Sequence, residues 1–458
     1  MLDQVLEQID ADLEGSLERL FRLLRIESIS TDPAYAASVK TAAEWLGAEL
    51  SGLGFAASVR STAGHPIVVA HAGKHGGATA LFYGHYDVQP VDPLGLWEAP
   101  PFEPRLATSP DGKRRIIGRG AADDKGQLMT FVEACRAWKT VTGGLPLGLT
   151  LLLEGEEECG SPNLAPFLRD NADELRADIA LVCDTNMWDA ATPAITMMLR
   201  GLAGEEVVVT AASRDLHSGL FGGAARNPIH VLADILAGLH DQAGKVTVPG
   251  FYDDVVDPPA EVMREWQALD FQPEKFLGGV GLSTPAGERD RSVLEQIWSR
   301  PTGEVNGVIG GYTGAGFKTV IASRASAKVS FRLVPGQDPA KVSAAFRDYV
   351  RQRAPADCRV EFIRHAGSPA ISLPFDSDHV ARARTALAEE WGKPAAVIGS
   401  GGSIPVVGDF KKILGMGSLM VGYGLDDDRI HSPNEKYDLT SFHKGIRSWA
   451  RILGALAG

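Results

Sequence analysis

The amino-acid sequence predicts an α/β protein in which a three-layer domain, built on a mostly parallel sheet, is interrupted by an inserted ferredoxin-like α+β domain. Short apolar strands alternate with amphipathic helices up to about residue 195, and this pattern resumes after about residue 373. Between these parts, the strand–helix–strand–strand–helix–strand order is typical of a ferredoxin-like unit. We therefore expect a first domain in two pieces, 1–195 and 373–458, around an inserted domain at 196–372.

Size and composition narrow the class of protein. The chain has 458 residues, too many for one ordinary core, which agrees with two domains. No apolar run reaches the roughly 18 residues that span a bilayer, and the acidic N-terminus does not have the pattern of a signal peptide. The four cysteines lack C-x-x-C spacing, which favours reduced thiols and a cytoplasmic protein. A net charge of −13 without a basic cluster argues against nucleic acid and membrane as partners.

The first elements are predicted to be two helices and two short strands. Residues 3–25 and 36–53 have the spacing of amphipathic helices, and 66–71 and 78–83 are typical of short strands. For residues 3–25 the pattern indicates plain core packing and nothing further.

The second of these strands leads to a histidine and an aspartate two residues apart, His85 and Asp87. Strand side chains alternate between faces, so both side chains point the same way. His85 is then suited to bind a metal ion while the Asp87 carboxylate fixes its tautomer. A lone H-x-D is more often a polar strand end that faces water, so the pair gains meaning only because the chain repeats the pattern.

The next candidate is the loop Gly118–Gly126, GRGAADDKG, which leads into an amphipathic helix. Its glycines allow the backbone to approach a ligand closely. Asp124 fits a helix-capping role, because carboxylates at a helix N-terminus bond free N–H groups and complement the dipole. We interpret Asp123, one residue earlier, as a metal ligand.

An apolar run over 145–153 is typical of a strand buried on both faces, and it is followed by the acidic segment Glu154-Gly-Glu-Glu-Glu158. Such a segment is usually a solvated loop. Directly after a buried strand, however, adjacent carboxylates can divide metal binding and proton transfer between them. The strand 179–183 ends on Asp184, and His431 follows a later strand. Because open α/β sheets bind ligands outside the carboxyl ends of their strands, we expect these side chains to converge.

The inserted domain carries two further candidates. His217 lies in its Gly-rich loop 214–223. In the strand KVSFRLV, three apolar side chains share one face, which leaves Arg332 on the other. An arginine on a sheet face is most often solvated or salt-bridged, yet its planar fork also suits a substrate carboxylate. The domain is predicted from strands at 205–210, 319–321, 328–334 and 359–363 and helices at 228–239 and 338–353, with an irregular stretch over 241–300.

The α/β pattern that resumes after residue 373 closes the chain. It consists of a helix at 378–391, a strand at 395–398, a loop at 400–403, a last core strand at 419–423 and a packing helix at 441–456.

These residues allow a site for two metal ions. If Asp123 lies between two ions, His85 and Asp184 complete the first. Glu158 and His431 complete the second. Three carboxylates and a bridging hydroxide then balance the charge of two divalent ions, as a buried site requires. Mixed histidine and carboxylate ligands suit Zn²⁺, with Mn²⁺ and Co²⁺ as alternatives.

The chemistry expected of such a site is amide hydrolysis. Two ions about 3.5–4 Å apart would lower the pKa of a bridging water to about 7 and polarise a substrate carbonyl. Glu157, next to a ligand but not itself one, is the expected general base, which takes the proton of the water and hands it to the leaving nitrogen.

Six motifs carry a resemblance that covers nearly the whole chain: GHYDV, GRGAADDKG, EGEEECGS, CDTNMW, DLHSGLFGG and HSPNEKY. In this order they resemble the di-zinc metallopeptidases that include carnosinases, cytosolic non-specific dipeptidases, aminoacylase-1, carboxypeptidase G and succinyl-diaminopimelate desuccinylase. The resemblance implies that the metal ligands are His85, Asp123, Glu158, Asp184 and His431.

The resemblance also implies the roles of the neighbouring acids. It assigns the catalytic base to Glu157 and the ring-orienting acid to Asp87. The acidic run offers two pairs of adjacent glutamates, and the following Cys-Gly-Ser anchors the register on Glu157 and Glu158. The peptide bond between Asp123 and Asp124 is expected to be cis.

Family members carry a lid domain that dimerises, so the resemblance implies a homodimer through residues 196–372. The resemblance also implies that the lid histidine, here His217, reaches the partner subunit's site as an oxyanion donor. Arg332 is expected to clamp the substrate carboxylate. Further substrate contacts fall on Thr319, His365, Gly402 and Ser403, with a plain surface position as the alternative for His365.

Two features favour dipeptides as substrates. Asp184 matches the family's aminopeptidase and desuccinylase members, whereas aminoacylases and carboxypeptidases tend to have glutamate there. The insert between about 241 and 318, which ends in GYTGAGFKTV, looks like the dipeptidase and carnosinase branch. The first alternative is an N-acyl amino acid deacylase with the same mechanism. The second is a non-catalytic binding or scaffold protein, which the complete set of ligands and base disfavours.

Overall fold

The computed structural model describes residues 1–73, 77–365, 367–402 and 404–458. The chain forms two compact units, each with its own sheet. The large unit comprises Met1–Met197, Leu373–Ile398 and Val406–Gly458, and the small unit comprises Met198–Ser372 and Gly399–Pro405.

Helices and strands alternate along the chain. The helices are α1 (Leu2–Ala11), α2 (Leu13–Leu24), α3 (Ala36–Gly52), α4 (Lys125–Thr142), α5 (Leu164–Asp170), α6 (Ala172–Leu175), α7 (Ser218–Phe221), α8 (Pro228–Ala237), α9 (Ala260–Ala268), α10 (Pro273–Gly278), α11 (Val293–Trp298), α12 (Pro339–Arg353), α13 (Asp378–Trp391), α14 (Pro405–Asp409) and α15 (Leu439–Ala457). The strands are β1 (Ala56–Arg60), β2 (Ile67–Ala72), β3 (Thr79–His85), β4 (Arg105–Thr108), β5 (Arg114–Ile117), β6 (Gly148–Glu154), β7 (Ile179–Val182), β8 (Ala194–Leu199), β9 (Gly201–Thr210), β10 (Leu216–His217), β11 (Thr302–Gly310), β12 (Val320–Ile321), β13 (Arg324–Leu333), β14 (Arg359–Arg364), β15 (Ile371–Ser372), β16 (Ala396–Ser400), β17 (Gly417–Met420) and β18 (Lys436–Asp438).

The helix predicted over residues 3–25 is in fact two helices, because the backbone leaves the helical conformation at Asp12. Arg19 reaches back to Asp12 at 2.5 Å and contacts buried Glu133 of α4 at 2.7 Å. This ion-pair network holds the break in place, while both helices still bury their apolar faces.

The large unit is built on a mixed sheet with the strand order β1-β2-β6-β3-β7-β17-β8. Its central strands β6, β3, β7 and β17 run parallel, and antiparallel strands flank them. The predicted α/β class with a parallel sheet at its centre is confirmed. Because His85 lies opposite Glu154 and Tyr83 opposite Val182, the carboxyl ends of β3, β6 and β7 meet at one edge of the sheet.

Adjacent residues of β3 pack on opposite faces of this sheet. Phe82 stacks on Phe131 of α4, with 3.7 Å between ring centroids, and contacts Trp449 of α15 edge-on. On the other face, Tyr83 packs edge to face against Phe410, which belongs to a short π-helical segment. Helical layers therefore cover both faces, and burial on both faces explains the nearly continuous apolar sequence of the central strands.

The small unit contains a four-stranded antiparallel sheet with the order β11-β13-β9-β14. Helices α8 and α12 pack on one face of it. The chain order of strands and helices is that of the expected ferredoxin-like fold. Val329, Phe331 and Leu333 of β13 are buried in this core, and Arg332 lies on the opposite, open face, as the sequence predicts.

The strand predicted at 319–321 is present as β12, but its expected place in the four-stranded sheet is wrong. β12 pairs with β10 in a separate two-stranded ladder, and β11 is the strand that precedes β13 in the sheet. Most side chains of β11 are exposed, and glycine occupies three of its nine positions. The strand therefore lacks the apolar alternation by which a half-buried strand is recognised.

Two further observations concern membrane-spanning helices and disulfide bonds. In the part of the chain that the structure describes, no helix is both long and apolar enough to cross a bilayer. All four cysteines are free thiols.

Candidate metal centre

His85 ends β3 as a fully buried side chain whose two ring nitrogens differ in their surroundings. Nδ1 lies 3.1 Å from the carbonyl oxygen of Asp87 and 3.4 Å from its Oδ1. Nε2 is buried and makes no hydrogen bond to any described residue. A proton on Nδ1, held by Asp87, leaves the lone pair of Nε2 free, which is the state in which histidine binds a metal ion.

Asp87 joins this strand end to the acidic loop after β6. Its Oδ1 accepts a hydrogen bond from the backbone N–H of Glu157 at 3.2 Å, and its Oδ2 accepts one from the N–H of Glu158 at 3.0 Å. The hydroxyl of Ser30 also donates to Oδ2, at 2.6 Å. One carboxylate therefore orients His85 and both adjacent glutamates.

Asp123 lies between the two histidines. Its Oδ1 is 3.2 Å from Nε2 of His85, and its Oδ2 is 2.9 Å from Nε2 of His431. Asp184 approaches Nε2 of His85 to 3.9 Å, and Glu158 approaches Nε2 of His431 to 3.3 Å. The five expected ligands thus form two groups that share Asp123, each with its ligand atoms within 4.8 Å of one another: His85, Asp123 and Asp184, and Asp123, Glu158 and His431.

The peptide bond between Asp123 and Asp124 is cis, as expected. Asp124 makes no capping hydrogen bond at the start of α4, so its predicted capping role is wrong. Its Oδ2 instead accepts a hydrogen bond from the backbone N–H of His85 at 3.1 Å and contacts Sγ of Cys183 at 3.3 Å. These interior donors compete successfully with the helix N–H groups, and they tie α4 to the ends of β3 and β7.

Glu435 holds the loop that carries Asp123. This fully buried carboxylate accepts hydrogen bonds from Nη1 of Arg119 at 2.8 Å and from the backbone N–H of Asp123 at 3.1 Å. The N–H groups of Gly120 and Ala122 donate to it as well, at 3.0 and 2.9 Å. Because Glu435 belongs to the same motif as the second histidine, it connects the two loops that carry expected ligands.

The site concentrates negative charge. Burial, together with neighbouring carboxylates, raises the pKa of Glu157 to about 8 and the pKa of Asp184 to about 7. Hydrogen bonds to Asp123 and Glu158 raise the pKa of His431 to about 10. A site that favours the protonated form of acids and imidazole alike has an excess of negative charge, which cations relieve. With the unsatisfied Nε2 of His85, this donor set fits two divalent metal ions.

The loop of His431 has an uncommon backbone conformation. His431 has a φ of +59°, in the left-handed region that non-glycine residues rarely adopt. Three residues later, the Asn434 side chain accepts a hydrogen bond from the N–H of Glu98 and donates one to the carbonyl of Leu96, both at 2.8 Å. These bonds hold the strained loop so that its half-exposed imidazole faces Asp123.

The small unit brings His217 and Thr319 side by side. His217 ends β10, and the N–H of the next residue, Ser218, donates to the carbonyl of Thr319 at 3.0 Å. Nδ1 of His217 accepts a hydrogen bond from the N–H of Gly219 at 3.0 Å. This bond places the ring proton of neutral His217 on Nε2, which is then a hydrogen-bond donor.

Arg332 and His365 lie on the open face of the four-stranded sheet. Arg332 is opposite Leu202 of β9, and the N–H of His365 donates to the carbonyl of Gly204 at 2.9 Å. The two side chains therefore share one face, since Leu202 and Gly204 are two residues apart on the same strand.

Gly402 belongs to an exposed loop of the same unit. Its N–H donates to the hydroxyl of Ser400 at 3.1 Å. The carbonyl of the preceding Gly401 accepts a long hydrogen bond from Nε of Arg200, at 3.4 Å. Ser403, also expected near the substrate, lies outside the described residues.

Sequence reasoning missed several residues that contact the expected metal ligands or the loops that carry them. Arg119 and Glu435 could have been identified from the sequence, because each lies inside a motif that holds an expected ligand. Gln89, whose Nε2 donates to Glu158 at 2.8 Å, follows the first histidine by four residues. Ser30 carried no signal, because it is 57 positions from its partner Asp87 and no local pattern connects them.

Comparison with known proteins places this site in a family. Residues 81–455 of the chain match the sequence pattern of the peptidase family M20/M25/M40. It is 31% identical to the Cys-Gly metallodipeptidase dug1 of Schizosaccharomyces pombe, over 100% of this chain and 98% of that one. It is 29% identical to the Beta-Ala-His dipeptidase of Homo sapiens, over 86% of this chain and 78% of that one.

A solved structure agrees with these matches. The M20 family metallo-carboxypeptidase Sso-CP2 from Sulfolobus solfataricus superposes with a TM-score of 0.83 and 31% identity, and the match covers 96% of this chain and 99% of that one. The protein therefore belongs to the peptidase family M20/M25/M40.

Proposed function

We propose that this protein is a metal-dependent dipeptidase, which hydrolyses the amide bond of dipeptides or short peptides. The observation that carries the proposal is the position of Asp123, within 3.2 Å of His85 and 2.9 Å of His431, while Glu157 stands outside both groups of ligand atoms. The choice of dipeptides is supported by the two relatives, a Cys-Gly metallodipeptidase and a Beta-Ala-His dipeptidase.

The proposed cofactors are two divalent ions, with zinc preferred over manganese and cobalt because the ligands mix imidazole and carboxylate. When bound, such a pair lowers the pKa of a water to about 7 and polarises the substrate carbonyl. The protein keeps the proposed ligands oriented. Asp87 holds the ring of His85, and Glu435 holds the loop of Asp123. The proposed ligands are His85, Asp123 and Asp184 for the first ion and Asp123, Glu158 and His431 for the second.

Glu157 is the proposed general base. Asp87 fixes its backbone N–H, and burial with neighbouring acids raises its pKa to about 8. The raised pKa makes this carboxylate a stronger base than an ordinary glutamate, and bound divalent ions would keep it ionised so that it can take the proton of the attacking water. The carboxyl group then donates that proton to the nitrogen of the leaving amine, so the C–N bond breaks with a neutral leaving group.

The proposed carboxylate clamp is Arg332, supported by its position on the open face of the sheet and by the fork geometry of guanidinium. The proposed oxyanion donor is His217, which would act in the partner subunit's site through Nε2. We propose Thr319, His365, Gly402 and Ser403 as further substrate contacts.

We also propose a homodimer formed through the small unit. β11 is an edge strand of its sheet, and it exposes Val308 and Ile309 by 56% and 65%. An exposed apolar edge strand is a surface that pairs readily with another chain. A cytoplasmic location is proposed from the four free thiols.

A hydrolysis panel on metal-stripped enzyme refilled with Zn²⁺ or Mn²⁺ tests the function. The panel compares free dipeptides, the same dipeptides with an acetylated N-terminus, and simple N-acyl amino acids, with products identified by mass spectrometry. We expect metal-dependent cleavage of the free dipeptides. Preference for the acylated compounds would replace the proposal with a deacylase of the same mechanism. No cleavage, despite two bound metal ions, would favour a non-catalytic binding protein.

A further inference from the structure

We propose that Arg200 is a second guanidinium of the carboxylate-recognition site, which acts beside Arg332 and determines specificity for substrates with a free C-terminal carboxylate. This inference rests on the proposed dipeptidase function. It concerns residues of the small unit only, and all of the contacts that support it lie within that unit.

Arg200 lies next to the strand pair that carries Arg332. Arg332 is opposite Leu202 in the β13–β9 ladder, and Arg200 directly precedes Gly201, where β9 begins and the ladder ends opposite Leu333. Both arginines therefore lie at the same end of this ladder, where diagonal neighbours are within reach of long side chains. The two guanidinium groups also repel each other electrostatically. Burial, and then the charge of Arg332, lower the pKa of Arg200 to about 10.

Among the described residues, Arg200 and Arg332 form no ion pair, in contrast to two other partly buried arginines of the small unit. Arg300 pairs with Glu288 at 3.0 Å, and Arg347 pairs with Glu205 at 3.0 Å. Among the described residues, no ion pair joins Arg200 to a carboxylate. A guanidinium that is withdrawn from water without an anion beside it is costly, so an incoming anion stabilises it.

The hydrogen bonds that Arg200 does make are weak and leave donors unused. Nε donates to the carbonyl of Gly401 and Nη1 to the carbonyl of Gln296, both at the long distance of 3.4 Å. Nη2 lies against Gly401, where an added Cβ would come within 2.9 Å of it. The guanidinium therefore reaches the loop that carries Gly402, a proposed substrate contact. Five N–H donors in a planar fork suit a carboxylate, and only some of them are committed.

An anionic end group is the ligand that this arrangement favours. Two neighbouring guanidinium groups attract a carboxylate and give no comparable advantage to a neutral carboxamide. Glu304 offsets part of this charge from a distance, since it raises the pKa of Arg200, yet it forms no ion pair with it. We therefore expect discrimination between a dipeptide and its C-terminal amide to depend on Arg200.

The test compares one dipeptide with its C-terminal amide on metal-loaded enzyme. For Arg200→Met we expect KM for the dipeptide to rise roughly 10- to 100-fold with little change in kcat, because a charged hydrogen bond is lost. We expect kcat/KM for the amide to stay nearly unchanged. The matched control is Arg324→Met, which removes an exposed arginine at the start of β13 and should leave both substrates unaffected.

Equal losses on the acid and the amide would overturn the proposal, because Arg200 would then only support the loop at Gly401. An unchanged KM for the acid would overturn it as well. If the Arg200→Met variant does not fold, as judged by circular dichroism, the preference for the acid over the amide is measured on the Arg200→Lys variant instead. It retains the charge but loses the fork, so a lower preference for the acid supports the proposal and an unchanged preference overturns it.

The wild-type enzyme tests the proposed dipeptidase function separately from the role of Arg200. If the wild type cleaves neither compound, the proposed dipeptidase function fails. The role of Arg200 is then decided by calorimetric titration of the dipeptide into the wild type and the variant. Weaker binding to the variant supports the proposal, and equal binding overturns it.

Discussion

Glu435 accepts a hydrogen bond from the backbone N–H of Asp123 at 3.1 Å, across 312 positions of sequence. It lies four residues after His431, in the same loop. The position of Asp123, the proposed shared ligand, relative to His431 therefore depends on a side chain that is not itself a proposed ligand. Such supporting contacts orient metal ligands and contribute to metal affinity.

Glu435→Gln should weaken metal binding. The amide can accept fewer of the four hydrogen bonds, and it leaves Arg119 buried without its ion-pair partner. We expect a roughly 10- to 100-fold loss of Zn²⁺ affinity, measured by competition with a chelator. The absorption spectrum of the Co²⁺-loaded variant should change as well, because the ligand geometry changes.

Glu390→Gln is the matched control for this prediction. Glu390 is a buried carboxylate of the same unit that pairs with Arg447 at 2.7 Å and Arg451 at 2.9 Å, and it belongs to neither ligand group. The Glu390→Gln variant should be less stable but should keep the Zn²⁺ affinity and the Co²⁺ spectrum of the wild type. If both variants bound metal equally well, the positioning role of Glu435 would be refuted.

Glu157→Gln should retain both metal ions and lose activity, because the amide cannot take a proton from water. The expected loss in kcat is roughly 10²- to 10⁴-fold, with metal content measured by mass spectrometry. Glu156→Gln is the control, since the Glu156 carboxylate accepts hydrogen bonds from the N–H of His65 and from Asn163, both at 2.8 Å. If Glu156→Gln lost activity and Glu157→Gln kept it, the assignment within the acidic run would be reversed.

The metal-free protein should lose stability as the pH rises from about 5 to about 8. The pKa values of Asp184 and Glu157 are raised from 3.8 and 4.5 to about 7 and about 8. A raised pKa means that the folded state holds the proton more tightly. The stabilisation is therefore complete below the ordinary pKa and is lost as the pH passes the folded-state value.

Calorimetry at several pH values checks this prediction. Metal ions replace the protons, so the difference in Tm between metal-loaded and metal-free protein should widen toward pH 8. In the metal-free Glu157→Gln variant, the fall in Tm should be smaller. A metal-free Tm that is constant or rises between pH 5 and 8 would contradict the assignment of these raised pKa values.

A mixing experiment tests whether two subunits share one site. His217→Ala and Glu157→Gln should each be poorly active alone. In a heterodimer, one site would receive an intact base and an intact lid histidine, so an equimolar mixture should recover up to about a quarter of wild-type activity. Verified heterodimers without recovery would show that His217 does not act across the dimer.

The ends of the sheet strands could be read from the sequence because each apolar run stops at a polar residue. For this reason His85, Asp184 and the acidic run were expected at one edge, and the structure brings them there together with Asp123. The same local signal failed for β11, whose exposed, glycine-rich residues do not alternate. It failed for Asp124 as well, because a cap and an interior contact have the same local sequence.

By itself, then, the sequence determined the two-part α/β organisation, the side chains that converge at the sheet edge and the open face of Arg332, since all three follow from local periodicity. Only the tertiary structure decided that Ser30 bonds Asp87, that Glu435 holds the loop of Asp123 and that the charges of Arg200 and Arg332 interact. These relationships join residues far apart in the chain, and a local pattern carries no information about which distant groups packing will bring within hydrogen-bond reach.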